Sequence, residues 1–376
     1  MPEQKKKSIF KTYFIYFVSM ALFCGVRILS SLDVLSDISA KKSDIIFTLI
    51  IQVGIMLVVP FVLYMLLIRV TPKQVVKTVN FSKISISTVV ISIALGIVIF
   101  LMNIVVSSIF SGVLTFTGYR TPLTFEAQAT PSYSMISFVT NVVLVAVLPA
   151  ICEEFLHRGI LLQGTKHIGF KKAIIISSVC FGLIHFNIGQ VSYAIVLGLV
   201  LGFASVVAKN LWVPIIMHFT NNFIAIYLDF AEVNGWWLGN HNELIAKLGN
   251  FDFWVICVIC FVALCLIAIA LFYLVILLYR QAILKKVSRA IERVYEKDEN
   301  LTDEPVLLNK GRVLHEMLEN NTMLNLNYEE MQSPLEMVMP KQKVVYTPTF
   351  KDNIFLICSI TLGALITLFT YIWGFL

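Results

Sequence analysis

Long apolar stretches separated by short polar segments dominate the chain, at residues 9–31, 44–68, 85–110, 135–163, 172–188, 190–208, 211–230, 252–279 and 353–375. About 20 apolar helical residues suffice to cross a hydrocarbon core roughly 30 Å thick. Only helices and closed barrels satisfy their own backbone polar groups in lipid, and runs this long select helices. The pattern predicts an all-α, polytopic integral membrane bundle of about nine transmembrane helices. Composition agrees: 58% of the 376 residues are hydrophobic and 14% are charged, which excludes an ordinary soluble domain. Lys5, Lys6 and Lys7 precede the first stretch as in a signal peptide. That stretch is too long and lacks a clean small-residue cleavage site, so it is expected to remain as an anchor.

The lysines and arginines between spans set the expected orientation. The N-terminal lysines, the segment with Arg69, Lys73, Lys77 and Lys83, the segment with Lys166, Lys171 and Lys172, and the run after Arg280 fall on one side if the helices alternate. This side is expected to be cytoplasmic, with the N-terminus inside and the C-terminus outside. The net charge of +6 is accounted for by these loops, and no nucleic-acid motif or phosphate-binding glycine loop accompanies it. The seven cysteines lie in or beside apolar helices, where they pack as small hydrophobes and imply no disulfide framework. Cys257-x-x-Cys260 is read as packing rather than a redox pair, and Gly198-x-x-x-Gly202 as a site of close helix approach.

Ionisable residues interrupt the apolar pattern at three places, and such residues are costly within a bilayer. The first cluster, Glu153-Glu154-Phe155-Leu156-His157-Arg158, lies in the fourth span. Helical spacing puts Glu154 and Arg158 on one face, acid before base, which favours an ion pair. Glu153 projects about 100° round the helix and is free to face a different cavity. The second cluster, Phe181 and His185, and the third, His218 and Asn222, each share a helix face in the fifth and seventh spans. Alone, each of these clusters has an ordinary reading, as a charge cluster at the membrane surface or a hydrogen bond between helices. Together they point to one polar site assembled by three helices.

Glu-Glu-x-x-x-Arg, then Phe-x-x-x-His, then His-x-x-x-Asn, in successive membrane helices, resembles the CAAX-protease and bacteriocin-processing (CPBP, or Abi) family of intramembrane proteases. Arg158-Gly159 and Trp212-x-Pro214-Ile215 extend the resemblance, which covers roughly 135–230. It marks a catalytic core (135–230), and hydropathy divides the rest into N-terminal helices (1–134), an outer loop and eighth helix (231–279), a cytoplasmic polar segment (280–352) and a final helix (353–376). The resemblance implies that Glu153 activates water with Glu154 and Arg158 in support, while His185, His218 and Asn222 complete the pocket. It also implies a multi-pass protein of a cell membrane, most naturally a bacterial plasma membrane. Its substrate would be a peptide or membrane-protein tail, in peptide maturation, bacteriocin processing or self-immunity, or a lipidated C-terminal CAAX tail in a prenylating cell.

The chemistry can be argued from the residues themselves. Peptide hydrolysis needs an activated water and a stabilised oxyanion. Glu153 is placed to act as base, His185 to share the water or its proton, and His218 and Asn222 to donate to the oxyanion. This scheme requires no cofactor. Glu153, His185 and His218 could instead hold zinc, as three protein ligands with an open fourth position. His315-Glu316-Met317-Leu318-Glu319 is no zinc motif, because its second histidine is missing.

Depth poses a difficulty. His185 lies about 21 Å along an ideal helix from Lys171, but His218 only about 10 Å from the inner end of its own span. Tilt, a late start to the fifth span, or a short buried connection at 187–189 would reconcile them. The 280–352 segment begins as a basic amphipathic helix, Arg280 to Arg293, suited to anionic headgroups. Beyond it, a docking surface for a cytoplasmic partner is one expectation and a tethered loop the other. Two further readings of the chain are a non-catalytic scaffold that regulates a membrane partner such as a sensor kinase, and a transporter. Transport is disfavoured by the lack of inverted repeats with paired broken helices. Serine and aspartate intramembrane proteases are disfavoured by the lack of Gly-x-Ser-Gly and Gly-x-Gly-Asp.

Overall fold

The computed structural model describes residues 2–31, 40–119, 133–241, 243, 253–295 and 347–374. Ten helices occupy these residues, and no strand occurs among them. They are α1 (Pro2–Ser31), α2 (40–68), α3 (Pro72–Thr78), α4 (Ile86–Phe116), α5 (Met135–Ile168), α6 (Phe170–Leu183), α7 (Ile188–Ala208), α8 (Trp212–Asn234), α9 (Phe253–Tyr295) and α10 (Phe350–Trp373). Seven are long and apolar enough to cross a membrane: α1, α2, α4, α5, α7, α9 and α10. The fifth and seventh expected spans correspond to α6 and α8. The first of these is only 14 residues long, and the second carries His218, Asn221 and Asn222. The two helices that fall short are thus two of the three that bear the polar clusters.

At about 1.5 Å per residue, α6 extends about 21 Å, less than a hydrocarbon core. It ends just before His185. The chain then turns through residues 184–187, with Phe186 in the left-handed region (φ 51°) and Asn187 capping α7 through Gly189 N–H. The short connection expected at 187–189 is displaced: the chain turns at residues 184–187, and Ile188 and Gly189 already belong to α7. Ile184 and Phe186 are buried there, and Phe186 stacks on Phe23 of α1 with ring centroids 5.3 Å apart. The Ile188 N–H donates to Thr370 Oγ1 of α10 at 3.0 Å. Irregular backbone within apolar surroundings is tolerated where protein groups satisfy it, and α10 supplies that group.

Three π-helical stretches widen the ladder. Ile50–Val58 ends two residues before Pro60, and Val142–Val147 ends two residues before Pro149. Proline lacks an N–H and its ring clashes with the carbonyl four residues back, and the wider π turn accommodates both. The third stretch, Phe155–Leu162, starts directly after Glu154. The Glu153-Glu154 turn is therefore α-helical between two π segments, a local geometry that sequence periodicity does not reveal.

Packing places α5 at the centre. On one side Tyr13, Tyr16 and Met20 of α1, Cys152, Leu156 and Leu161 of α5, Cys180 and Leu183 of α6 and Leu356 of α10 form one buried cluster. On another, Leu95 and Ile99 of α4 meet Phe181 of α6, Leu197 and Leu201 of α7, Val213 and Met217 of α8, and Val275 of α9. Lipid is as apolar as these side chains, so close packing and hydrogen bonds hold the helices together. Gly198 illustrates this: a Cβ there would lie 2.9 Å from Ser178 Cα, so only glycine lets α7 press against α6. The six cysteines whose side chains are described are free thiols, and Cys257 lies outside that set. Helix α9 runs unbroken from the apolar span through the basic stretch to Tyr295. The rest of the expected docking segment, up to residue 346 and including His315, lies outside the described residues.

Candidate active site

Glu154 and Arg158 are both fully buried, and Arg158 Nη1 donates to Glu154 Oε1 at 2.6 Å. The same oxygen accepts from His218 Nδ1 at 3.0 Å, which ties α8 to α5. Arg158 Nη2 reaches the Gly198 carbonyl of α7 at 3.0 Å. A buried charge must be paired, and one guanidinium and one imidazole here share one carboxylate oxygen. The cost is visible in Glu154 Oε2 and Arg158 Nε, which are buried with no hydrogen-bond partner.

Phe181 forms the floor of this group. Its ring centroid lies 4.6 Å from Arg158 Cζ, a cation–π contact. Edge-to-face contacts at 5.0, 5.2 and 5.7 Å join it to His157, His185 and His218. The i,i+4 spacing of Phe181 and His185 has a second consequence. Because α6 ends here, the His185 backbone N–H turns to the Gly182 carbonyl, and the His185 side chain takes the Phe181 carbonyl through Nδ1 at 2.8 Å. A carbonyl only accepts, so Nδ1 carries a proton, and in the neutral ring Nε2 is the nitrogen with the lone pair. His185 is half-buried.

Glu153 is held apart from its neighbour. Its side chain is half-buried, and Oε1 accepts from Gln52 Nε2 of α2 at 2.9 Å. His157 Nδ1 donates to the Glu153 carbonyl at 2.8 Å, so its Nε2 is a bare lone pair, buried and without a hydrogen-bond partner. Two adjacent carboxylates thus occupy different settings, one neutralised inside the bundle and one more open on a different face.

Asn222 belongs to a chain of amides. Its Nδ2 donates to the Val145 carbonyl, in a π segment of α5, at 3.0 Å. Its Oδ1 accepts from Asn221 Nδ2 at 2.9 Å, and Asn221 Oδ1 accepts from Asn103 Nδ2 of α4 at 2.9 Å.

Of the expected residues, Glu154, Arg158, His218 and His185 therefore surround Phe181, while Glu153 and Asn222 are held by partners that the sequence reading did not contain. Gln52, Asn103 and Asn221 are polar residues in apolar runs, which was the one available signal for them. Their partners could not be read because two of the contacts join separate helices. Among the described residues no three His, Cys, Asp or Glu side chains are arranged to hold a metal ion.

No curated protein and no solved structure matches the chain. A family model does match, over residues 135–224: Rce1-like, described as type II CAAX prenyl endopeptidase Rce1-like. Every residue of the three motifs, from Glu153 to Asn222, falls within that stretch, whereas Gln52 and Asn103 precede it. Residues 135–224 thus match the Rce1-like family model, and they lie within a longer multi-pass helical membrane protein.

Proposed function

We propose that the chain is an intramembrane endopeptidase that hydrolyses a peptide bond near the C-terminus of a lipidated peptide or membrane-protein tail. The observation that carries this reading is the division between the two glutamates. Arg158 and His218 saturate one oxygen of a fully buried Glu154, while Glu153 is more open and, among the described residues, bonded by the neutral Gln52. A carboxylate held by a neutral amide rather than by a cation at contact distance is free to take a proton from water.

In this mechanism Glu153 abstracts a proton as water attacks the scissile carbonyl, and His185 Nε2 accepts a hydrogen bond from the same water. The tetrahedral oxyanion is stabilised by the free N–H of the Asn222 amide and by His218 Nε2 when that ring carries both protons. Glu153 then returns its proton to the leaving amine, and the products are a new carboxylate and a new amine. Glu154 and Arg158 hold His218 in place. This scheme requires no metal or other cofactor.

The test is a comparison of peptide termini, by mass spectrometry, in cells expressing wild type or Glu153→Gln at matched membrane abundance. Termini lost in the variant are the expected result, since the amide keeps the shape but cannot act as base. An unchanged set of termini would reject proteolysis and favour a scaffold for a membrane partner.

A further inference from the structure

We propose that Asn221 and Asn103 are positioning residues that hold the Asn222 amide in the direction chosen by the Val145 carbonyl, for oxyanion stabilisation. This inference rests on the proteolytic reading above. An amide side chain can face either way, and only one way presents N–H groups to an oxyanion. Here the choice is made by a group that cannot be reversed. The Val145 carbonyl only accepts, so Asn222 must turn Nδ2 towards it. Asn222 Oδ1 then faces Asn221, which must donate, and Asn221 Oδ1 faces Asn103, which must donate in turn. The polarity of the whole chain is fixed from the Val145 end. Its cost falls on the last member, whose Oδ1 is buried with no hydrogen-bond partner.

Both supporting residues are buried, Asn103 at 9% and Asn221 at 8% exposure, so water does not readily replace either one. The contact between their helices is close by construction. A Cβ at Gly96 of α4 would lie 2.6 Å from Thr220 Cβ of α8, and Asn103 is two helical turns further along the same face. With one Asn222 N–H on Val145 and Oδ1 held by Asn221, the remaining N–H has a defined direction. If Asn221 no longer donates, Val145 alone holds the Asn222 amide, and the remaining N–H loses one of the two restraints on its direction.

The test is a double-mutant cycle on the purified full-length protein, with cleavage of a farnesylated, internally quenched CAAX peptide as the readout. Removing an oxyanion donor outright costs about 10²–10³ in turnover, and loss of its orientation is expected to cost Asn221→Ala about 10-fold. The effect falls on kcat with KM unchanged, because the oxyanion exists only in the transition state. Asn103→Ala gives a smaller loss of the same kind. In an Asn222→Ala background, neither substitution lowers kcat further. A purely structural role would instead give additive losses that follow thermal midpoint, and that result would overturn the inference alone. If Asn221→Ala does not fold, Asn103→Ala in the two backgrounds decides. If wild type leaves the peptide as intact as Glu153→Gln does, the prenyl endopeptidase reading falls and this inference falls with it.

Discussion

Gln52 and Glu153 stand 101 residues apart in the chain and are joined by a 2.9 Å hydrogen bond from the amide Nε2 to the carboxylate Oε1. The donor sits in the π-helical part of α2 and the acceptor in the short α-helical turn between the π segments of α5. A neutral amide must turn its N–H to a carboxylate, and the Gln52 Oε1 left behind is buried without a hydrogen-bond partner. The bond restrains rotation of the carboxylate that the proposed mechanism uses as base.

Gln52→Leu should therefore lower kcat for peptide cleavage by about 10-fold with little change in KM, the effect of losing roughly one charge-assisted hydrogen bond. Asn in its place is a methylene shorter and should not restore the rate. Steady-state kinetics of both variants at equal thermal midpoints checks this. A wild-type rate in Gln52→Leu would show that α2 does not orient Glu153.

Arg158→Met should destabilise the protein by about 3–5 kcal/mol, because it leaves the Glu154 carboxylate buried without its cation. Glu154→Gln combined with Arg158→Met removes both charges and should recover part of that loss. Thermal midpoints in detergent, with membrane abundance in cells, measure the coupling.

Phe181→Leu preserves apolar bulk but removes the ring that touches Arg158, His157, His185 and His218. The expected result is a stability loss smaller than the roughly 3–5 kcal/mol typical of Phe→Ala, together with a larger proportional loss of turnover. Paired melting and cleavage assays on Phe181→Leu and Phe181→Ala separate the two effects. Turnover that simply follows stability would count against an organising role for the ring.

Thr370→Val deletes the hydroxyl that accepts from Ile188 N–H and donates to the Thr367 carbonyl, at near-constant shape. Leaving the N–H unsatisfied should cost about 1–3 kcal/mol. The loosened turn includes His185, so activity should fall more than in a control substitution on the outer face of α10, and Thr370→Ser should restore it. The Ser and Val variants compared side by side in the cleavage assay give the answer.

Much of the site was legible from spacing. Glu154 and Arg158 had to share a helix face because four residues make about one turn, and the ion pair follows from that alone. The order of the three motifs pointed to the Rce1-like region that the family comparison finds over 135–224. The apolar pattern predicts about nine spans, and among the described residues seven helices qualify, with length and polarity setting α6 and α8 apart. The turn at 184–187 precedes the 187–189 connection that the sequence suggested, and the packing of α10 against it has no signal in the spacing.

The amino-acid sequence determined what local chemistry can determine: helices from long apolar runs, faces from a 3.6-residue period, and the cost of ionisable groups kept among apolar ones. Tertiary structure alone decided which polar groups meet. Gln52 reaches Glu153, His218 reaches Glu154, and Asn103 reaches Asn221 through contacts between helices distant in the chain. Periodicity is a property of one helix, whereas these hydrogen bonds depend on the rotation, depth and separation of two. Those quantities are set by glycine contacts, by π turns ahead of prolines and by where α6 stops, and they exist only once the bundle is packed.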